Sequence, residues 1–275
     1  MKVTFDSNAW ELIVFPERHP NNRDHGSMVK IKEVLRNGQI QGFICESFGT
    51  LEAILPTDRA AYLANKIPIV ETSVTSLRGG SASISIRIES DHSLHPGLHE
   101  RQVEKLEEAL AIGMRLLSAP YFNQPLPPLF RNNPAIYAPE VFSTADYNER
   151  FGSAVSEIHA RGVGDAVLAA LVKKISQRLG PNRPAVKWEI QLLEYAYTNA
   201  KNPGEKREIE KAVAESADGD AVAAHIAFGN DLFCTEDQGN SAGGPSIFNA
   251  TNRAWLKATH GVNFVTMKEL AALLP

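Results

Sequence analysis

Cysteine is scarce: the 275 residues include two, Cys45 and Cys234, each inside an apolar, strand-like run. Such thiols are small core residues, not a disulfide framework or a thiolate metal site, and they suit a reducing compartment. Long apolar runs are missing as well. No stretch approaches the roughly 20 residues of a membrane span, and the opening MKVTFDSNAW meets an aspartate too early for the apolar core of a signal peptide. The expectation is a soluble, cytoplasmic protein without a membrane partner. Basic charge is not in excess either. A formal net charge of -4 excludes a generally cationic nucleic-acid binder, while leaving room for a local basic face or a bound cation.

What is present is strand alternating with helix at both ends of a chain whose 43% apolar content can fill a core. Residues 3–5 are β-prone and run into Asp6, Ser7 and Asn8, which favour turns and caps. Residues 28–36 have helical spacing and stop at Asn37 and Gly38; residues 40–45 predict a second strand, and 47–54 a helix ended by Pro56. Toward the other end, 220–229 predict an apolar helix opened by Asp220 that feeds a strand at 232–235. After a polar, Gly-rich loop at 238–246 come a short helix at 253–258, a strand at 263–265 and a last helix at 267–274. This order implies a parallel sheet flanked by helices.

The middle reads differently. Residues 69–76 and 83–89 alternate apolar and polar across Gly79 and Gly80, as an antiparallel hairpin does. Val103, Leu106, Leu110, Met114 and Leu117 space one helix over 100–117, proline crowds a loop at 120–139, and helices fill 144–217. The fold class is therefore α/β: a sheet core from residues 1–60 and 211–275, with a mainly helical subdomain containing a β-hairpin inserted at 61–210.

Four carboxylates fall where that sheet gathers its strand ends: Asp6, Glu52, Asp220 and Asp237. Ligand sites of open parallel sheets lie at the carboxyl ends of the strands. Like charges there call for a hard divalent cation, Mg²⁺ or Mn²⁺, which can activate water and bind a phosphate oxygen. The quoted segments resemble those of the PIN-domain nucleases. Asp6-Ser-Asn8 is similar to that family's Asp-x-Asn start, and the run Ser47 to Glu52 to the helix that supplies its second acid. The run from Asp220 through Thr235-Glu-Asp237 resembles its late helix and Thr-x-Asp strand end, and residues 261–270 resemble its closing strand and helix. The resemblance covers about residues 1–60 and 211–275. It implies a Mg²⁺- or Mn²⁺-dependent ribonuclease with Asp6, Glu52, Asp220 and Asp237 as catalytic and metal-binding acids, supported by Asn8 and Thr235.

Several residues compete for these roles. Glu46 rivals Glu52, and Asp218 rivals Asp220 as the acid that opens the late helix; Asp165 imitates that helix start and reads as a cap. Asp231 and Glu236 read as solvent-facing. His92, His95 and His99 carry a zinc alternative, although Pro96 and Gly97 interrupt the helix that would align them. Lys173, Lys174, Arg178, Arg183 and Lys187 are either a solvated face or a hold on an RNA backbone. Neighbouring Trp188, Tyr195 and Tyr197 read as packing residues. A protein partner would engage the insertion; a non-catalytic RNA- or protein-binding module is the rival to the enzyme.

Overall fold

The computed structural model describes residues 1–48, 54–55, 57–65, 69–76, 82–89, 98–119, 133–138, 145–180, 190–240 and 246–275. Its strands are β1 (Lys2–Phe5), β2 (Gln41–Cys45), β3 (Ile69–Ser76), β4 (Ala82–Glu89), β5 (Arg115–Leu117), β6 (Leu232–Cys234) and β7 (Phe264–Val265). A five-stranded sheet runs β5-β2-β1-β6-β7 with every pairing parallel. The chain thus begins in the middle of its own sheet, so the end of β1 opens between the ends of β2 and β6. The hairpin expected in the middle is present as β3 and β4, antiparallel, with Ile69 opposite Glu89.

Helices α1 (Ser7–Val14), α2 (His25–Arg36), α3 (Arg59–Asn65), α4 (Glu100–Ala111) and α5 (Ala145–Ala160) are followed by α6 (Asp165–Leu179), α7 (Ile190–Thr198) and α8 (Pro203–Phe228). The last two are α9 (Ala250–His260) and α10 (Met267–Leu273). Period-two alternation splits the core. Val3, Phe5, Ile44 and Cys234 pack on one face against α1, α2, α4 and α10, among them Trp10, Ile13, Met28, Ile31, Leu106 and Leu270. Phe43, Cys45, Leu117 and Phe233 pack on the other against Tyr147 and Phe151 of α5, the Ala221–Phe228 half of α8, and Leu256 of α9. A third cluster joins α3, α6 and α7 to Ile209, Ala212 and Val213 in the other half of α8. One long helix therefore ties the sheet to the satellite helices.

A polar residue facing the second layer needs partners. Thr4 Oγ1 accepts from Asn230 Nδ2 at 2.7 Å and shares a hydrogen bond with Nδ1 of buried His225 at 2.9 Å. Burial brings the His225 pKa down to about 4, and the ring sits edge-on to Phe233 at 5.4 Å as a neutral group.

Three expectations need correcting. First, Asp6, Ser7 and Asn8, which favour turns and caps, lead into a helix that the sequence did not mark: α1 starts at Ser7 with Asp6 as its cap. Second, the helix expected over 100–117 stops at Ala111; Gly113, at φ +98, turns the chain and Arg115–Leu117 pair with β2. An L side chain rarely adopts that φ, so the apolar spacing continues past a point where the helix cannot. The sheet consequently takes one strand from within 61–210. Third, Asp220 does not open a helix: α8 begins at Pro203 behind the Asn202 cap, whose side chain accepts from Glu205 N at 3.1 Å. The stop at Gly229 is as expected. Where a helix was expected over 47–54, Glu46–Phe48 form a single 3-10 turn and 49–53 lie outside the described residues. Among the described residues no helix is long and apolar enough to cross a membrane.

Candidate acidic site at the strand ends

Asp6 is both the last residue of the central strand's exit and the cap of α1. Its Oδ1 accepts from Ser7 N at 2.7 Å, and its Oδ2 accepts from Asn8 Nδ2 and Thr235 Oγ1, each at 2.7 Å. Asn8 Oδ1 in turn accepts from Glu236 N at 2.9 Å, and Thr235 Oγ1 accepts from Asp237 N at 3.1 Å. The two supporting residues expected from the sequence thus lock the ends of β1 and β6 around one carboxylate. Asp6 is 6% exposed. Burial raises its pKa, and the charge of Asp237 adds to the rise against the hydrogen bonds from Thr235 and Ser7.

A cleft of about 50 Å³ opens beside it, lined by Asp6, Ser7, Trp10, Ser47 and Asp218 among apolar neighbours. Ala214, Ala217, Asp218 and Ala221 form the α8 wall, at the i, i+3, i+4, i+7 spacing of one helix stripe. Asp220, two residues beyond Asp218, lies roughly 200° further round and is not in that wall. It is buried in the body, where its charge helps raise the pKa of the Cys45 thiol, which burial chiefly pushes up to about 12. Asp218 is thus the α8 acid at the cleft.

Asp237 stays outside the wall. Its carboxylate accepts from Gly239 N at 2.7 Å, and its carbonyl accepts from Arg253, whose Nε also donates to Phe248 O at 2.7 Å. The tight turn needs glycine: at Gly239, φ +66, a Cβ would stand 2.5 Å from Asn249 N. Arg253 is the cation sequence reading missed, since nothing in its local pattern marks it. Burial lowers its pKa, while Asp237, Asp6 and Glu269 oppose that shift. Glu52 lies outside the described residues.

Glu46, the rival second acid, is engaged elsewhere. Its Oε1 accepts from Ala119 N at 2.6 Å and Ser118 Oγ at 3.0 Å, and its Oε2 from Tyr137 OH at 2.9 Å. It fastens the exit of β5. Glu215 is a second buried clamp that the sequence did not reveal, accepting from Ile247 N at 2.6 Å. Asp165 occupies the first turn of α6 behind Gly164, near Ser216 at 3.4 Å. Asp231 is exposed and accepts from Lys2 N, but Glu236 is not merely solvent-facing: it accepts from Met267 N at 2.7 Å and so holds the start of α10.

Two other groups of candidates fall only partly among the described residues. Lys174 pairs with Glu208, and Arg178 lies 3.6 Å from Glu205, so these cations face α8 acids; Arg183, Lys187 and Trp188 lie outside the described residues. Tyr197 is buried and donates to Glu210 at 2.9 Å, a packing role as expected. His99 caps α4 by accepting from Arg101 N at 3.1 Å, while His92 and His95 lie outside the described residues.

Among the described residues, no three His, Cys, Asp or Glu side chains form a ready-made metal cage. Five buried side-chain polar atoms there lack a hydrogen-bond partner, although one of them, His260 Nε2, lies 3.3 Å from Glu157 Oε2; of their residues Trp10 alone lines the cleft. An unmade bond of that kind costs about 1–3 kcal/mol. No family model, curated protein or solved structure matches the chain.

Proposed function

We propose that the chain is a PIN-like nuclease that hydrolyses RNA phosphodiester bonds with a divalent cation held at the cleft between the exit of β1 and α8. The observation that carries this reading is that Asp6 and Asp218 both line one small cleft, with Asp6 fixed by Asn8 and Thr235. The donor set is all oxygen. Mg²⁺ and its close substitute Mn²⁺ suit it, because Mg²⁺ keeps several waters and takes one or two carboxylates plus substrate oxygens. Tetrahedral zinc, which takes three or four protein ligands, does not fit. The cleft's volume, about 50 Å³, is far below the roughly 300 Å³ of pockets that enclose an organic ligand. An ion with its waters is thereby favoured over a small-molecule substrate.

Within this proposal Asp6 and Asp218 hold the cation, Asp218 replacing Asp220 of the family-based expectation. Asp237 supplies further negative charge, and Glu52 remains the second acid that the resemblance implies. Asn8 and Thr235 keep the Asp6 carboxylate aimed by donating to it, and such bonds favour its charged form. A bound ion contributes a more acidic water and an electrostatic sink for charge on the phosphate. Residues 61–210 serve as the insertion that selects RNA or a protein partner, apart from 115–117, which complete the sheet.

The test is cleavage of single-stranded RNA with Mn²⁺ by wild type, Asp6→Asn and Asp218→Asn proteins. Cutting by wild type alone, abolished by chelation, is the expected result. A wild type that cuts neither RNA nor DNA with Mg²⁺ or Mn²⁺ leaves a binding module as the better reading.

A further inference from the structure

Trp10 stands in the first turn and a half of α1, and helical side chains lean toward the N-terminus of their own helix, which here is the Asp6 end. The ring is fully buried, lines the cleft and meets Phe48 edge-on at 5.5 Å. Its indole nitrogen can only donate, and among the described residues no acceptor reaches it. The hydroxyls of the wall are turned elsewhere: Ser47 Oγ bonds Ala217 O at 3.1 Å, and Ser7 Oγ lies 3.4 Å from Asp6 Oδ1. For packing alone, a phenylalanine would offer an aromatic wall with no polar group to satisfy; buried tryptophan N–H groups usually have a partner. The lining thus holds two acidic residues and a tryptophan whose N–H is unused, a set that an oxygen acceptor arriving with a cation would complete.

We infer that the Trp10 N–H is a ligand contact that donates to a phosphate oxygen entering the cleft with the divalent ion. The inference rests on the metal-site reading above. An anion approaching alone is repelled by Asp6 and Asp218, whereas the same anion paired with a cation has its charge offset. A charged oxygen is also the acceptor that an N–H prefers, by about twofold in bond strength over a neutral one. The small volume admits phosphate oxygens and leaves the nucleoside outside, so this contact positions the backbone and carries no base information.

The experiment follows the indole N–H resonances of ¹⁵N-labelled protein, the Trp10 peak being identified by its loss in Trp10→Phe. Inorganic phosphate and a phosphorothioate RNA dinucleotide are added in turn to Mg²⁺-containing protein. The Trp10 peak is expected to move downfield with at least one probe; movement with the dinucleotide alone assigns the contact to a diester. Trp10→Phe is expected to keep Mg²⁺ affinity and to lose about tenfold in affinity for the responding probe. A peak indifferent to both probes overturns the inference, as does a folded Trp10→Phe protein with unchanged affinity for them. If that variant does not fold, isotope-edited contacts assign the wild-type peak and its response decides. Failure of wild type to bind Mg²⁺ sinks the metal reading separately; an indole that then still answers phosphate would keep Trp10 as an anion donor but overturn its partnership with a cation.

Discussion

Glu46 after β2 and Asp6 after β1 are buried carboxylates at neighbouring strand ends, both with pKa values raised chiefly by burial. Their surroundings differ. Glu46 spends its oxygens on Ala119 N, Ser118 and Tyr137, joining three pieces of chain. Asp6 is steadied by Ser7, Asn8 and Thr235 yet also lines the cleft together with Asp218. The contrast teaches that burial and a displaced pKa do not identify a working acid. The deciding fact is whether the carboxylate still borders space that a ligand can enter.

The sharpest way to break this contrast is to neutralise each acid. Asp6→Asn is expected to lower Mn²⁺-dependent RNA cleavage by at least about a hundredfold, since loss of an outer-shell partner alone typically costs 10–100-fold; Glu46→Gln should cut near the wild-type rate. Equal losses would erase the distinction. Stability should sort the other way. Glu46→Ala strands the Ala119 N–H and the Tyr137 hydroxyl and should cost about 2–4 kcal/mol in denaturant unfolding, from the roughly 1–3 kcal/mol per unmade buried bond. Glu46→Gln, whose carbonyl can still accept from Ala119 and whose amide can donate to Tyr137, should cost much less.

Thr235→Val tests the support beneath Asp6. With the fold intact by circular dichroism, cleavage should fall about 10–100-fold, the usual range for a group that orients a metal ligand. A rate unchanged from wild type would make the Thr235 bond ornamental to Asp6.

A control for burial without a ligand is His225. Its folded pKa, about 4, lies below the ordinary 6.5 or so, so the unfolded chain binds the extra proton first. The His225 contribution is complete above about pH 6.5 and is lost as pH falls toward 4, amounting to a few kcal/mol at most. His225→Gln should flatten that part of the stability-versus-pH curve and leave Mn²⁺ binding alone. The smallest effect belongs to the exposed Lys174–Glu208 pair: Lys174→Ala should change stability by about 0.5 kcal/mol or less, in keeping with surface ion pairs. A large loss of RNA affinity in that variant would restore a substrate role to α6.

How far the sequence carried the reading follows from local physics. β1, β2, β6, β7 and the capped α10 were legible because each pairs an apolar pattern with a strong stop or cap, such as the Thr266–Glu269 capping box. The supports Asn8 and Thr235 were legible as motif members. By contrast, α1 was hidden because Asp6, Ser7 and Asn8 suit a turn as well as a helix start. β5 was hidden because Met114 and Leu117 prolong the spacing of α4 past Gly113. The choice between Asp220 and Asp218 turns on phase: the apolar run after Asp220 looks like a helix start, but α8 begins at Pro203, and its full length sets that Asp218 shares the stripe lining the cleft. Glu46 could not be assigned at all without knowing that β5 ends beside it.

The most direct test of the account is anomalous diffraction from crystals soaked in Mn²⁺. The account predicts one peak in the cleft, about 2.0–2.3 Å from carboxylate oxygens of Asp6 and Asp218, absent in Asp6→Asn crystals grown the same way. No peak in the cleft at saturating Mn²⁺, or a peak ligated by Glu46 instead, would contradict it.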